Sequence, residues 1–145
     1  MAVRKILVLN GPNLNMLGIR EPDLYGRVTY ADLCDRIRKR AGELGAEVSF
    51  YQSNSEGDLV TRIQQALGQE DAIIINPAAY THTSVAILDA LKTVALPAAE
   101  VHITDIRARE PFRQVSYAGM ACERHYIGMG IDGYIRALVD FVNEQ

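Results

Sequence analysis

The sequence lacks any apolar stretch of roughly 18 residues, the length that a membrane-spanning helix requires. Its first residues also lack the charged and apolar regions of a signal peptide. A net charge of −3 leaves no basic excess for general binding to nucleic acid or to a membrane surface. From these absences we expect a cytoplasmic protein that binds neither nucleic acid nor membranes.

Cysteine and histidine are scarce. The two cysteines, Cys34 and Cys122, show no motif spacing, so we expect both to be reduced and structural. The three histidines, His82, His102 and His125, show no spacing typical of metal ligands and have no cysteine partners. No phosphate-binding loop of the form G-x-x-x-x-G-K-[ST] occurs. We therefore expect a site that uses no metal and no cofactor.

The chain has the length and composition of one globular domain. It contains 145 residues, of which 48% are hydrophobic and 23% are charged, and this is enough to bury a sizeable core. We expect a single catalytic domain over residues 1–145, with a lid-like loop at about residues 18–27.

Short apolar runs rich in Val and Ile alternate with helical patterns, without internal repeats. The runs predict strands over residues 5–10, 46–52, 72–76, 98–103 and 126–129. Apolar residues at helical spacing predict helices over residues 30–44, 58–67, 83–94 and 133–143. For the first helix, Thr29 and Asp32 form a capping-box pair and Gly45 is the stop.

Alternating strands and helices indicate parallel strands joined by right-handed crossovers. We predict an α/β fold, a flavodoxin-like three-layer sandwich with a five-stranded parallel sheet of order 2-1-3-4-5. Ligands of such sheets bind beyond the carboxyl ends of the strands, at the switch point between strands 1 and 3. Asn13, Asn76, His102 and Thr104 all fall at this edge, so we expect them to converge there.

Residues 128–133 spell G-x-G-x-x-G between a strand and a helix, a pattern that can mark a dinucleotide site. Such a site needs a further strand and an acidic residue downstream, and too little chain remains for them. We interpret the motif as a close-packed turn.

The segment 11–26 follows directly on the first strand and has neither helical nor strand periodicity. It is either a surface Ω-loop without chemical consequence or a functional loop, since long irregular loops in compact domains are uncommon. Arg107, Arg109 and Arg113 present a similar choice. They suit a small anionic ligand, because a guanidinium binds carboxylates with a planar fork, or they form a solvated basic turn.

The run GPNLNxLGxREPxxYG over residues 11–26 resembles the signature of type II 3-dehydroquinate dehydratases. Residues 76–84 (NPAAYTHTS), 100–104 (EVHIT) and 130–134 (GIDGY) are similar to later motifs of that family in order and spacing. The resemblance covers essentially the whole chain. It implies a lyase that converts 3-dehydroquinate to 3-dehydroshikimate through an enolate, in the shikimate pathway or in quinate catabolism.

The resemblance implies a catalytic role for five residues. Tyr25 removes the proton next to the substrate ketone, and Arg20 makes this phenol basic, because a nearby positive charge favours the phenolate. His102 is the general acid for the departing hydroxyl, oriented by Glu100 two residues earlier on the same face of the strand. Asn13 holds a water or polar group against the enolate oxygen. The motifs contain no lysine, in keeping with a class that forms no Schiff base.

The resemblance also implies how the substrate is held. Asn76, Ile103 and Thr104 match the cradle for its carboxylate, and His82, Asp89 and Arg113 match contacts to its ring hydroxyls. Structural alternatives stay open for some of these residues: His82 and Thr83 as caps of the third helix, and Asp89 as a solvated carboxylate on the face that it shares with His82. The family resemblance further implies a homo-oligomer, a dodecamer built of trimers, in which Asp89 reaches the site of a neighbouring subunit.

The chain departs from the commonest family pattern after His102. Asp105 adds a negative charge near the expected anion cradle, which we expect to affect affinity unless Arg107 offsets it.

Two other functions fit the fold. A nucleotide- or flavin-binding protein would need a hydroxyl-rich phosphate loop after strand 1. A phospho-receiver or scaffold would need an acidic cluster after strand 1 and a lysine ending strand 5. The sequence has neither the phosphate loop of the first alternative nor the acidic cluster and lysine of the second.

Overall fold

The computed structural model describes residues 2–19 and 27–143. One sheet of five parallel strands forms its centre, in the order β2-β1-β3-β4-β5, as predicted. The strands are Lys5–Asn10 (β1), Glu47–Gln52 (β2), Ala72–Asn76 (β3), Ala98–His102 (β4) and Arg124–Ile127 (β5). Strands β3 and β4 are buried along their whole length, and β3 accordingly reads as an almost continuous apolar run, whereas β4 also buries Glu100 and His102.

In the described part of the chain, four α-helices cover the two faces of the sheet: Tyr30–Leu44 (α1), Glu56–Gln65 (α2), Val85–Val94 (α3) and Asp132–Asn143 (α4). Helices α1 and α4 pack over one apolar cluster and α2 and α3 over a second. The flavodoxin-like three-layer arrangement is thus confirmed. No helix in the described part of the chain is long and apolar enough to cross a membrane.

Local capping signals set the helix ends. Thr29 and Asp32 form the predicted capping box of α1, and Gly45 ends that helix with a left-handed φ of 72°. The predicted start of α3 at residue 83 is wrong. Ser84 is its N-cap, because the Ser84 hydroxyl accepts the backbone N–H of Ile87 at 2.9 Å.

The capping interpretations of His82 and Thr83 are therefore wrong. His82 lies in a separate 3₁₀ turn, Ala78–His82, so it does not share a helical face with Asp89 either. Helix α2 begins two residues earlier than predicted, because Ser55 accepts the backbone N–H of Asp58 and so caps it.

Strand β5 lies two residues earlier than predicted, and the glycines of the G-x-G-x-x-G motif explain the difference. Gly128 and Gly130 have left-handed φ angles of 76° and 62°, so they leave the strand and form a turn. Their N–H groups donate to the carbonyls of His102 and Ile103, at 3.0 Å in both cases. A Cβ on Gly128 would lie 3.1 Å from the Cβ of Asp105. The interpretation of this motif as a close-packed turn is confirmed.

Candidate active site

A cavity opens at the carboxyl ends of β1, β3 and β4, where the sheet topology predicts a ligand site. It brings together most of the residues that the sequence assigns to substrate chemistry. Its lining consists of Pro12, Asn13, Leu14, Leu17, Asn76, Ala78, Ala79, His82, His102, Ile103, Thr104, Ile106, Arg109 and Arg113.

Asn13 lines the cavity from the loop after β1, and its backbone is left-handed, with a φ of 71°. Asparagine tolerates this region better than most residues. The side chain of Asn54 holds the turn by accepting the backbone N–H of Asn13 at 3.0 Å. Below it, Gly11 donates to the carbonyl of Asn76 at 2.8 Å, and a Cβ on Gly11 would lie only 2.3 Å from the carbonyl oxygen of Pro77. The loops after β1 and β3 therefore meet too closely for any side chain at position 11.

Asn76 forms the floor of the cavity and is 4% exposed. Its Oδ1 accepts the N–H of Ala78 at 3.1 Å, and its Nδ2 donates to the hydroxyl of Tyr134 at 2.9 Å. The same hydroxyl donates to Oδ1 of Asn10 at 2.7 Å. Tyr134 is fully buried, and burial raises its pKa above the usual range, so the hydroxyl stays a donor. One amide proton of Asn76 is thus committed to Tyr134.

His102 faces the cavity from the end of β4, and its Nε2 donates to Oε2 of Glu100 at 2.9 Å. Both side chains are 4% exposed. Burial opposes ionisation of Glu100, yet hydrogen bonds from His102, Ser116 and His125 outweigh it and lower the pKa of the carboxyl to about 2. Glu100 is therefore ionised at neutral pH, and it accepts the Nε2 proton of His102 as a charged group.

Two further donors complete the surroundings of Glu100. Ser116 donates to Oε2 at 2.8 Å, and Nδ1 of His125 donates to Oε1. A Cβ on Gly119 would lie 2.5 Å from Oε1, so the backbone there closes directly over the carboxylate. The carboxylate is enclosed on the side away from the cavity.

His82 has a defined tautomer. Its Nδ1 lies 2.8 Å from the carbonyl of Val115, which can only accept, so Nδ1 carries the proton and Nε2 keeps a lone pair. Burial lowers the pKa of His82, and the charge of Arg113 lowers it further. A neutral imidazole that can accept a hydrogen bond at Nε2 suits contact with a substrate hydroxyl.

The arginine cluster divides into two parts. Arg109 and Arg113 line the cavity, and both lie near Glu110, with Nε–Oε1 distances of 3.7 and 2.9 Å. Arg107 instead pairs with Asp105, its Nε at 2.9 Å and its Nη2 at 3.3 Å from the two carboxylate oxygens. Asp105 does not line the cavity, and its pairing with Arg107 is the contact that an offset of its charge requires.

Two of the assigned residues in the described chain, Glu100 and Asp89, do not line the cavity, and Glu100 acts on it through its hydrogen bond with His102. Asp89 is exposed on α3 and does not line the cavity. Tyr25 and Arg20 lie outside the described residues, as does most of the expected lid-like loop.

Sequence reasoning missed His125, Ser116 and Tyr134. His125 lies opposite Glu100 in the pairing of β4 with β5. This position could be predicted only if the register of the two strands were known. Among the described residues, no group of three or more His, Cys, Asp or Glu side chains is arranged to hold a metal ion.

The chain is similar to known proteins in both sequence and structure. The family model described as "Dehydroquinase class II" matches residues 4–142. A 3-dehydroquinate dehydratase of Caldicellulosiruptor bescii is 53% identical over 137 residues, which cover 94% of each chain. The crystal structure of a type II dehydroquinase from Butyrivibrio crossotus is 45% identical, with a TM-score of 0.94 over 98% of this chain and 99% of that one. A type II dehydroquinase from Propionibacterium acnes is 41% identical, again with a TM-score of 0.94, over 99% of each chain.

Proposed function

The chain belongs to the class II dehydroquinase family, and on that premise we propose the activity and the roles of its residues. The protein is a type II 3-dehydroquinate dehydratase, a lyase of the shikimate pathway that removes water from 3-dehydroquinate. The observation that carries the assignment to this site is the buried Glu100–His102 pair, which faces a cavity lined by amide and arginine side chains.

We assign the elimination step to His102. Its Nε2 is committed to Glu100, so Nδ1 is the nitrogen left to protonate the departing hydroxyl. An ionised Glu100 favours the charged imidazole that a general acid needs. Tyr25 is the base that takes the proton next to the ketone, and Arg20 favours its ionisation. Asn13, whose backbone is held by Asn54, carries the water or polar group against the enolate oxygen.

We assign substrate binding to the rest of the cavity. Asn76, Ile103 and Thr104 hold the carboxylate, while His82 and Arg113 contact ring hydroxyls. The neutral His82 accepts at Nε2, and the guanidinium of Arg113 donates. Elimination needs no metal or cofactor in this scheme.

The finer assignments concern assembly and location. We propose that the protein is cytoplasmic and forms a homododecamer built of trimers. In this assembly the exposed Asp89 on α3 reaches the site of a neighbouring subunit. Sedimentation velocity of the full chain tests the assembly. A monomer at micromolar concentration would contradict it.

The direct test of function is an absorbance assay. Adding 3-dehydroquinate should produce the conjugated enone of 3-dehydroshikimate, with the same rate in the presence of a chelator.

Tyr25→Phe should fold normally and lose at least ~10²- to 10⁴-fold in kcat, because only the phenolic oxygen is removed. In Arg20→Ala the acid limb of the pH–rate profile should move to higher pH. Wild-type turnover by Tyr25→Phe, or an unmoved limb in Arg20→Ala, would contradict the respective role.

A further inference from the structure

Glu100 has a third partner whose position differs from that of the other two. His102 and Ser116 both donate to Oε2, whereas His125 donates to Oε1 from the neighbouring edge strand β5. His125 stands directly opposite Glu100 in the β4–β5 register. The side chains of Glu100 and His102 are 4% exposed, but that of His125 is 44% exposed.

This contact links solvent to the general acid. The His125 side chain reaches water, and an imidazole can carry a positive charge. The carboxylate that it contacts is shielded from water and has one net charge to share among its donors. In a shielded site such charges interact more strongly than they do in water. Any charge on His125 therefore reduces the negative potential that Glu100 exerts on His102.

We propose that His125 is a positioning residue for the dehydration: it fixes the Glu100 carboxylate, and its charge state sets how firmly His102 holds the proton that it donates. The inference rests on the proposed function, because it assumes that His102 is the general acid. With His125 neutral, Glu100 acts on His102 with its full charge. With His125 protonated, part of that charge is cancelled.

The other ionisable groups nearby do not supply this link. Burial, together with the charges of Glu100 and Glu123, raises the pKa of the Cys122 thiol to about 12, so the thiol stays neutral over the working range. His82 interacts with His102 across the cavity, but burial and Arg113 lower its pKa. Arg109 and Arg113 keep their charge at every working pH. His125 is thus the exposed titratable contact of the carboxylate among the described residues.

Three substitutions separate donor, charge and side-chain volume. His125→Asn keeps an N–H at the place of Nδ1 and cannot titrate. His125→Lys keeps a donor with a permanent charge. His125→Val suits an edge strand and removes the donor. The control is Gln69→Lys, which adds the same charge at an exposed position on the loop before β3, at the opposite end of the sheet.

The readout is the alkaline limb of the pH profile of kcat with 3-dehydroquinate, where the general acid loses its proton. His125→Lys should move this limb to lower pH by about one unit, that is, a tenfold loss of kcat on its alkaline side. His125→Asn should keep the wild-type limb, and His125→Val should move it to higher pH, because Glu100 then shares its charge with one donor fewer. Equal limbs for His125→Lys and Gln69→Lys would overturn the proposal.

A measurement on the wild type covers the case in which the variants do not fold. The imidazole resonances of His102, followed by NMR against pH, should show a second inflection at the pH where those of His125 titrate. A single inflection would overturn the coupling. Absence of turnover by the wild type would instead refute the proposed function, so the two failures are distinct.

Discussion

Single residues of the cavity differ in what surrounds them, and those surroundings define their chemistry. His102 and His82 both face the cavity, yet His102 is bonded to a buried carboxylate and His82 to a carbonyl. The carboxylate accepts the Nε2 proton of His102, whereas burial and the nearby Arg113 lower the pKa of His82 and favour its neutral form. Their different partners support the opposite tasks proposed for them: His102 donates a proton, and His82 accepts a hydrogen bond.

The role of His102 can be isolated from that of the base. His102→Ala should slow dehydration by ~10²-fold or more, while exchange of the substrate's acidic proton with solvent survives to a larger degree. The reason is that enolate formation precedes loss of the hydroxyl. Exchange followed by NMR in deuterated water, beside the absorbance assay, measures both steps. Tyr25→Phe is the matched control and should lose both, and an equal loss of both steps in His102→Ala would contradict the division.

At the scale of elements, helix α4 supports the cavity through one hydroxyl. Tyr134 projects from the first turn of α4 between β1 and β3, where it joins Asn10 to Asn76. These two strands carry the switch point of the sheet. The packing of α4 therefore determines how the amide at the cavity floor is oriented.

Removing this hydroxyl tests the support. Tyr134→Phe leaves Oδ1 of Asn10 and an amide proton of Asn76 unpaired in the core, so the free energy of unfolding should fall by ~1–3 kcal/mol. KM should rise several-fold with a smaller change in kcat, because Asn76 is assigned to the substrate carboxylate.

Tyr126→Phe is the matched control for that substitution. It removes the hydroxyl of Tyr126 on β5, which donates to Asp140 on α4 at 2.7 Å. This contact lies away from the cavity. It should lower stability without raising KM. An unchanged KM in Tyr134→Phe would show that the hydroxyl serves stability alone.

For the whole molecule, the ionised Glu100 makes stability depend on pH. Its folded pKa of about 2 lies below the ordinary value of 4.5, so the folded state gains stability from this group above about pH 4.5. That contribution is lost as the pH falls from about 4.5 towards 2. The shift corresponds to about 3 kcal/mol over this window, at ~1.36 kcal/mol per pH unit.

Urea unfolding from pH 6 to pH 3 at one protein concentration measures this loss. Glu100→Gln should be less stable than the wild type at pH 6, and its stability should fall less steeply between pH 4.5 and pH 3. Glu123→Gln, which removes an exposed carboxylate just before β5, is the control and should keep the wild-type slope. Parallel curves for wild type and Glu100→Gln would contradict the assignment of the acid dependence to Glu100.

The sequence alone determined the strand order, the layers and the edge of the sheet where the cavity lies. These features follow from local signals: apolar runs that alternate with helical periodicity, and caps such as Thr29, Asp32 and Gly45. The resemblance of the motifs to type II dehydroquinases also identified the family from the sequence. Such information lies in neighbouring residues, so no knowledge of distant contacts is needed to read it.

Only the tertiary structure decided which polar groups meet. Tyr134 contacts Asn10 across 124 positions of the chain, and His125 meets Glu100 only because β5 pairs with β4 in one register. The bounds of β5 were predicted two residues too late, because the glycine turn that ends this strand is stabilised by carbonyls from the end of β4. Register and side-chain pairing depend on the packing of the whole sheet, and a local pattern carries no record of that packing.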